Sequence, residues 1–398
     1  MVDQAGQTRR KSELDTIDQA TLTPLVRHAR SSATIEIIDW SYSQVHGGAG
    51  DVGGGLSGIY RFVGRGFDQG EIISWSLILK ITGASTANDD PSDPRYWKRE
   101  MLAYQSGRLD DLPGGLAAPR CFDIVERSDR EAWLWLEDLS DEIGARWPLE
   151  HYGLVARHLG QFNGAYLHSY PLPSDPWLSR GWLRALVYRA EPGIVQLRNS
   201  LDHPLLRRLY PDKQADRTFA LWAERETFLD ALDRLPQTFC HRDAFRRNLF
   251  ARRRADGREQ TVAVDWTYAG IGAIGEDINP LVNASLYFSE VEPAEAKALD
   301  DIVFNGYLTG LEDAGWQGDP RLVRFGFTAA SALCFDIGYQ LGDGLPMILD
   351  ENRHPWMEHA FGQPIEQLMD LLAGHGRFSL DLADEAKVLL GSLDKLKQ

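Results

Sequence analysis

The feature that most narrows the fold of this 398-residue chain is one short block, Cys240-His241-Arg242-Asp243-Ala244-Phe245-Arg246-Arg247-Asn248. It sets a histidine, an aspartate and an asparagine at the spacing H-x-D-x-x-x-x-N, between two short strand-like runs. Seventeen residues after Asn248, the apolar run Val262-Ala263-Val264 ends in Asp265, followed by Trp266. A lone aspartate in a loop is usually a turn residue, and a lone histidine is usually structural. In this order the residues divide a task. Asp243 offers a carboxylate that can orient a hydroxyl and accept its proton. Asn248 and Asp265 offer oxygen ligands suited to a hard divalent cation. His241 reads as support for the loop rather than as a reacting group.

The rest of the chain divides around this block. Residues 35–40, 59–63, 72–81, 120–125 and 132–137 are short apolar runs that read as strands, with a turn over 64–70. Asp93-Pro94 reads as a helix start that runs to about residue 108, with Asp as cap and Pro in the first turn. After Leu139 the periodicity becomes helical. Helices are expected from Pro148, over 177–198 and 214–235, and near 293–314, 319–341 and 355–373. A small β-rich island interrupts them at 238–266. The expected class is α+β with two lobes: a β-rich N-terminal lobe over 1–138 and a mostly helical lobe over 139–398, with a helical insert at about 171–235.

The front lobe holds a matching set. Lys80 lies near the end of the apolar run 72–81, and Glu100 follows twenty residues later in the expected helix. A strand lysine held by a helix glutamate can aim its ammonium at the phosphates of a nucleotide. Upstream, Gly53, Gly54, Gly55, Ser57 and Gly58 fill a turn before Ile59, where bare backbone can approach phosphate oxygens. Gly47, Gly48 and Gly50 form a competing cluster.

These residues resemble the aminoglycoside phosphotransferase and choline-kinase-like family, which has a protein-kinase-like fold. Gly54-Gly55-Leu56-Ser57-Gly58-Ile59-Tyr60-Arg61 is similar to its nucleotide loop. Asp265-Trp266 with Gly270, Gly272, Gly275, Glu276 and Asp277 is similar to its metal-binding segment. The resemblance implies transfer of a γ-phosphoryl group from ATP or GTP to a hydroxyl. It makes Asp243 the base, Asn248 and Asp265 ligands of Mg2+, and Lys80 a phosphate contact. Glu137 to Leu139 become the hinge beside the nucleobase. The chain departs from the family at Arg242, where glycine is usual, and at Arg246-Arg247, where Pro-Gly or similar is usual.

Composition closes off other classes. A net charge of −16 argues against a nucleic-acid groove. No apolar run approaches the roughly 18 to 20 residues of a membrane span. The polar start, with Arg9, Arg10 and Lys11 followed by no apolar stretch, does not read as a secretory signal. A cytoplasmic enzyme is expected. Cys121, Cys240 and Cys334 show no metal-ligand spacing and read as buried small hydrophobes. Gly270-Ile271-Gly272-Ala273-Ile274-Gly275 is a literal G-x-G-x-x-G, but five residues separate it from the strand end at Val264, and the chain lacks the strand–helix alternation of a dinucleotide fold.

Two alternatives stand beside a small-molecule phosphotransferase. A protein kinase is favoured by His241-Arg242-Asp243 but lacks an Ala-Pro-Glu triplet and an extended segment after Asp265. A non-catalytic nucleotide-binding module would share the fold. The expected acceptor is a small alcohol bound by the helical lobe. Glu276, Asp277 and Asp336 are candidate acidic liners, so a cationic acceptor is the leaning.

Overall fold

The computed structural model describes residues 4–45, 58–84, 89–128, 130–144 and 146–395. The nucleotide-loop residues Gly54, Gly55 and Ser57 lie outside this set. The chain forms two compact units: residues 1–91, 95–111 and 117–140 make the first, and 92–94, 112–116 and 141–398 the second.

The first unit is built on a five-stranded antiparallel sheet. Strand Glu36–Gln44 pairs with Gly58–Asp68, which pairs with Glu71–Gly83; Glu131–Glu137 and Cys121–Ser128 complete it. The turn expected over 64–70 is shorter than that. Gly64 and Gly66 remain in the strand, and the chain reverses only at Gln69-Gly70, both left-handed. Gly64 is needed as a strand residue: a Cβ there would fall 2.4 Å from the Trp75 ring. Two helices not foreseen from the sequence precede the sheet, Gln4–Leu14 and Gln19–Arg30. The second is capped by Asp18, which accepts from the Thr21 N–H at 2.9 Å. It buries Leu22, Leu25 and Val26 against Phe62, Leu77, Leu79 and Trp135. Burial of that size, about 1.5–3 kcal/mol per large side chain, outweighs the modest propensity of a helix carrying Pro24. Beyond the sheet, the helix expected from Asp93 begins only at Arg99 and ends at Gln105, so Asp93 and Pro94 lie in turns ahead of it.

The second unit is mostly helical. Its central pair is Leu149–His168 and Ala296–Asp313. Their backbones meet at glycines. A Cβ on Gly160 would fall 2.2 Å from the Tyr307 carbonyl oxygen, and one on Gly310 2.0 Å from that of Arg157. Real side chains cannot occupy that space without moving a helix. We therefore expect Gly160→Ala to destabilise the protein by about 1–3 kcal/mol, the scale of overpacking, as read from a denaturant midpoint at unchanged m-value.

The insert forms helices Trp182–Arg189, Glu191–Ser200, Pro204–Leu209 and Gln214–Asp233. The β island is three short strands, Gln237–Cys240, Leu249–Arg253 and Glu259–Ala263. The glycine-rich segment after Asp265 is not a dinucleotide loop: Gly270–Ala273 is a strand paired antiparallel with Gln237–Cys240. Further on, Pro320–Ser331 continues into a wide π-helical stretch, Ala332–Gly344. A long helix, Ile365–Lys395, ends the described chain, well past the stretch expected near 355–373.

Candidate functional site

In the first unit, Lys80 sits on strand Glu71–Gly83 and Glu100 on helix Arg99–Gln105. Lys80 Nζ and Glu100 Oε2 are 2.5 Å apart, with Glu100 almost wholly buried. A buried carboxylate left without its cation is costly, so this pair holds the ammonium in one place. At the far end of the sheet, the Glu137 N–H donates to the Arg120 carbonyl at 2.9 Å, and its carboxylate accepts from the Arg120 N–H. Leu139 is half-buried just after it. The neighbouring Asp138, not singled out in the sequence, pairs with Arg61 at 3.0 Å.

In the second unit, the loop after Cys240 is held from several sides. Asp277 is fully buried, and its two oxygens accept from the backbone N–H groups of Arg242 at 2.6 Å and His241 at 3.1 Å. Asn163, on helix Leu149–His168, adds a third donor at 3.1 Å. Burial raises the Asp277 carboxyl above its usual value, and these donors oppose the rise. His241 works from the other side. Its Nδ1 accepts from the Asp243 N–H at 3.1 Å, which leaves Nε2 to donate to the Val264 carbonyl at 2.9 Å. The ring packs edge-on against Trp266. The expected supporting place of His241 is what the geometry shows.

The candidate site residues sit on this frame. Asn248 Nδ2 donates to the Asp243 carboxylate at 2.8 Å and to its carbonyl at 3.0 Å. The Val264 N–H donates to the Asn248 carbonyl at 2.9 Å, so the strand leading to Asp265 is tied to the same loop. Asp265 takes a left-handed conformation and accepts from the Thr267 hydroxyl at 2.6 Å. The Asn248 nitrogen is committed to Asp243, which leaves its side-chain oxygen outside that pair. Among the described residues, no three His, Cys, Asp or Glu side chains converge as a closed cage. Mg2+ typically takes one or two protein carboxylates and completes its shell with phosphate and water.

The two arginines before Asn248 fasten the loop outward. Arg246 pairs with Asp141 at 2.8 Å and stacks over Trp147. Arg247 pairs with Glu290 at 2.8 Å and lies over Phe288. They replace a tight Pro-Gly turn by anchors.

The three acids considered for the acceptor are spent inside the fold. Glu276 accepts from Arg242 and from the Ala273 N–H, both at 3.0 Å. Asp277 holds the loop. Asp336, on the π-helical stretch, is buried and accepts from the Thr218 hydroxyl at 2.9 Å. Burial pushes the Asp336 carboxyl up to about 7, against that hydrogen bond. A folded-state value raised from 3.8 means that the native protein holds this proton more tightly than the unfolded chain. Stability from this group is therefore lost as pH rises from about 4 through 7. Across that window the wild type should lose roughly 4 kcal/mol relative to Asp336→Asn, measured by urea midpoints of both proteins at each pH.

Residues 79–317 match the phosphotransferase enzyme family. No curated protein matches the chain in sequence. Among solved structures, a choline kinase from Cryptosporidium parvum Iowa II matches with a TM-score of 0.52 at 14% identity, covering 89% of this chain and 94% of that one. The microcompartment-associated aminopropanol kinase matches with a TM-score of 0.51 at 10% identity, covering 87% of this chain and 94% of that one. At such identities the likeness shows a kinase-like fold, with a β-rich unit followed by a mostly helical one. The sequence match takes in Lys80, Glu100, Asp243, Asn248 and Asp265 and exceeds half of the chain; the chain belongs to the phosphotransferase enzyme family.

Proposed function

We propose that this protein transfers the γ-phosphoryl group of ATP or GTP to a hydroxyl of a small molecule. The observation that carries this is the Asp243–Asn248 pair, held at 2.8 Å on a loop whose backbone is pinned by Asp277. Phosphoryl transfer asks the protein mainly for position and charge. Asp243 orients the acceptor hydroxyl and takes its proton as the new P–O bond forms and the bond from the γ-phosphorus to the bridging oxygen breaks, releasing the nucleoside diphosphate. Asn248 and Asp265 would hold Mg2+, which would offset phosphate charge. Lys80, fixed by Glu100, binds phosphate oxygens.

A small acceptor is favoured over a protein by the segment after Asp265. Residues 269–280 are all buried, as a strand and a tight turn, and offer no exposed run on which a peptide could dock. On this proposal the acceptor binds toward the insert and the π-helical stretch. Trp182 of the insert packs against Tyr268 at 5.5 Å. Burial raises the Tyr339 hydroxyl well above its ordinary value, and the nearby Cys334, Tyr268, Asp243 and Asp343 raise it further. The test is a panel of alcohols of differing charge with magnesium-ATP and magnesium-GTP, scored by nucleoside diphosphate release, beside generic protein substrates. Acceptor-dependent release with at least one small alcohol is expected. Release with proteins alone, or with nothing, would overturn the proposal.

A further inference from the structure

The catalytic loop contains one residue whose backbone and side chain pull in opposite directions. Arg242 has φ 68°, in the left-handed region where glycine is at ease and a long side chain is not. Its guanidinium is nevertheless buried, with each of its three nitrogens engaged. Nε donates to Glu276 at 3.0 Å, Nη1 to the Ser179 carbonyl at 3.1 Å, and Nη2 to the Ile271 carbonyl. The group also lies 5.8 Å from the Trp182 ring.

The surroundings are cut to receive it. A Cβ on Gly270 would fall 2.3 Å from Nη1 and 2.2 Å from the Ser179 oxygen, and one on Gly272 would fall 2.6 Å from a Glu276 oxygen. Two glycines in a four-residue strand are thus what makes the recess. Ser179 pairs in parallel with Gly270, and its carbonyl also accepts from the Ile271 N–H at 2.8 Å. One guanidinium therefore joins three segments: the loop that carries Asp243, the strand after Asp265, and the insert near its start.

We infer that Arg242 is a positioning residue that fixes the insert, and the acceptor bound beside it, at a set distance from Asp243. The inference rests on the phosphotransfer reading above. Glycine at 242 would relax the backbone but leave the insert joined to the loop only through the strand. The Arg side chain links them directly, through a planar fork that lysine cannot reproduce.

The experiment compares wild type with Arg242→Gly, Arg242→Lys and the double variant Arg242→Gly/Glu276→Gln, which leaves no buried carboxylate without a partner. Turnover is measured with magnesium-ATP and the best alcohol of the panel, and amide hydrogen exchange is followed over 176–182 and 241–248. The double variant should fold and lose about 10- to 100-fold in kcat, the scale of a misplaced reacting pair, with the KM for ATP within about twofold of wild type. Exchange should rise in both segments together. Added guanidinium should restore part of the turnover of Arg242→Gly and none of that of Asp243→Asn. Wild-type kcat in the double variant, or unchanged exchange over 176–182, would overturn the inference alone. An inactive wild type would overturn the phosphotransfer reading and this role with it. Failure of all three variants to fold would make Arg242 a determinant of the fold rather than of position.

Discussion

Asp243→Asn is expected to lower turnover by about 10²- to 10⁴-fold, the usual worth of a positioned general base, and to leave the KM for nucleotide nearly unchanged. The asparagine keeps the size of the side chain and can still hydrogen-bond Asn248, which now reaches the carboxylate at 2.8 Å. What it loses is the capacity to take the acceptor's proton. The split between kcat and KM is the decisive reading. Loss of nucleotide affinity instead would mean that Asp243 serves the phosphates, and near-wild-type turnover would remove it from the mechanism.

For Asp265→Asn the expected loss is larger in kind. Asp265 is the carboxylate proposed to hold the metal with Asn248, and its left-handed backbone is one that aspartate and asparagine both tolerate. The substitution should therefore leave the fold intact and cut metal affinity. Charge neutralisation by a bound cation is worth several kcal/mol, so activity at ordinary Mg2+ concentration should fall on the order of 10³-fold. A magnesium titration checks this: the variant should need far more metal for any turnover, and magnesium-ATP should no longer raise its melting temperature. An unchanged metal dependence would move the ligand elsewhere.

The sequence points to those two residues because their relation is local. Asp243, Asn248 and Asp265 lie within one loop and the strand after it, so spacing alone orders them. Lys80 and Glu100 were legible for a similar reason, even though the helix bearing Glu100 starts at Arg99 and not at Asp93. What escaped is what depends on distant partners. Glu276, Asp277 and Asp336 are acids in the right region, yet burial and remote donors decide their use: Arg242 and His241 for the first two, Thr218 for the third. Pro24 obscures the helix Gln19–Arg30 in the sequence, although Asp18 caps it and Leu22, Leu25 and Val26 share the face that it buries against the sheet. Gly64 looked like turn chemistry and is room for Trp75. The recess around Arg242 did have a sequence signal. A bulky residue at 242, where glycine is usual, needs room, and the glycines at 270 and 272 leave that room.

The glycine-lined helix pair has a consequence for how this architecture can be recombined. Tyr307, on one helix, donates its hydroxyl to Asn163 Oδ1, on the other, at 2.8 Å, and accepts from the Gly275 N–H at 3.3 Å. Asn163 in turn reaches Asp277 and the Phe239 carbonyl. Both helices thus contribute to one post beneath the loop, and their bare-backbone contact leaves no slack for either to slide. A chimaera that borrows only Leu149–His168 or only Ala296–Asp313 from a relative imports half of a fitted joint. Crossover points for shuffled libraries belong outside the whole stretch 149–313, so that the joint travels as a unit.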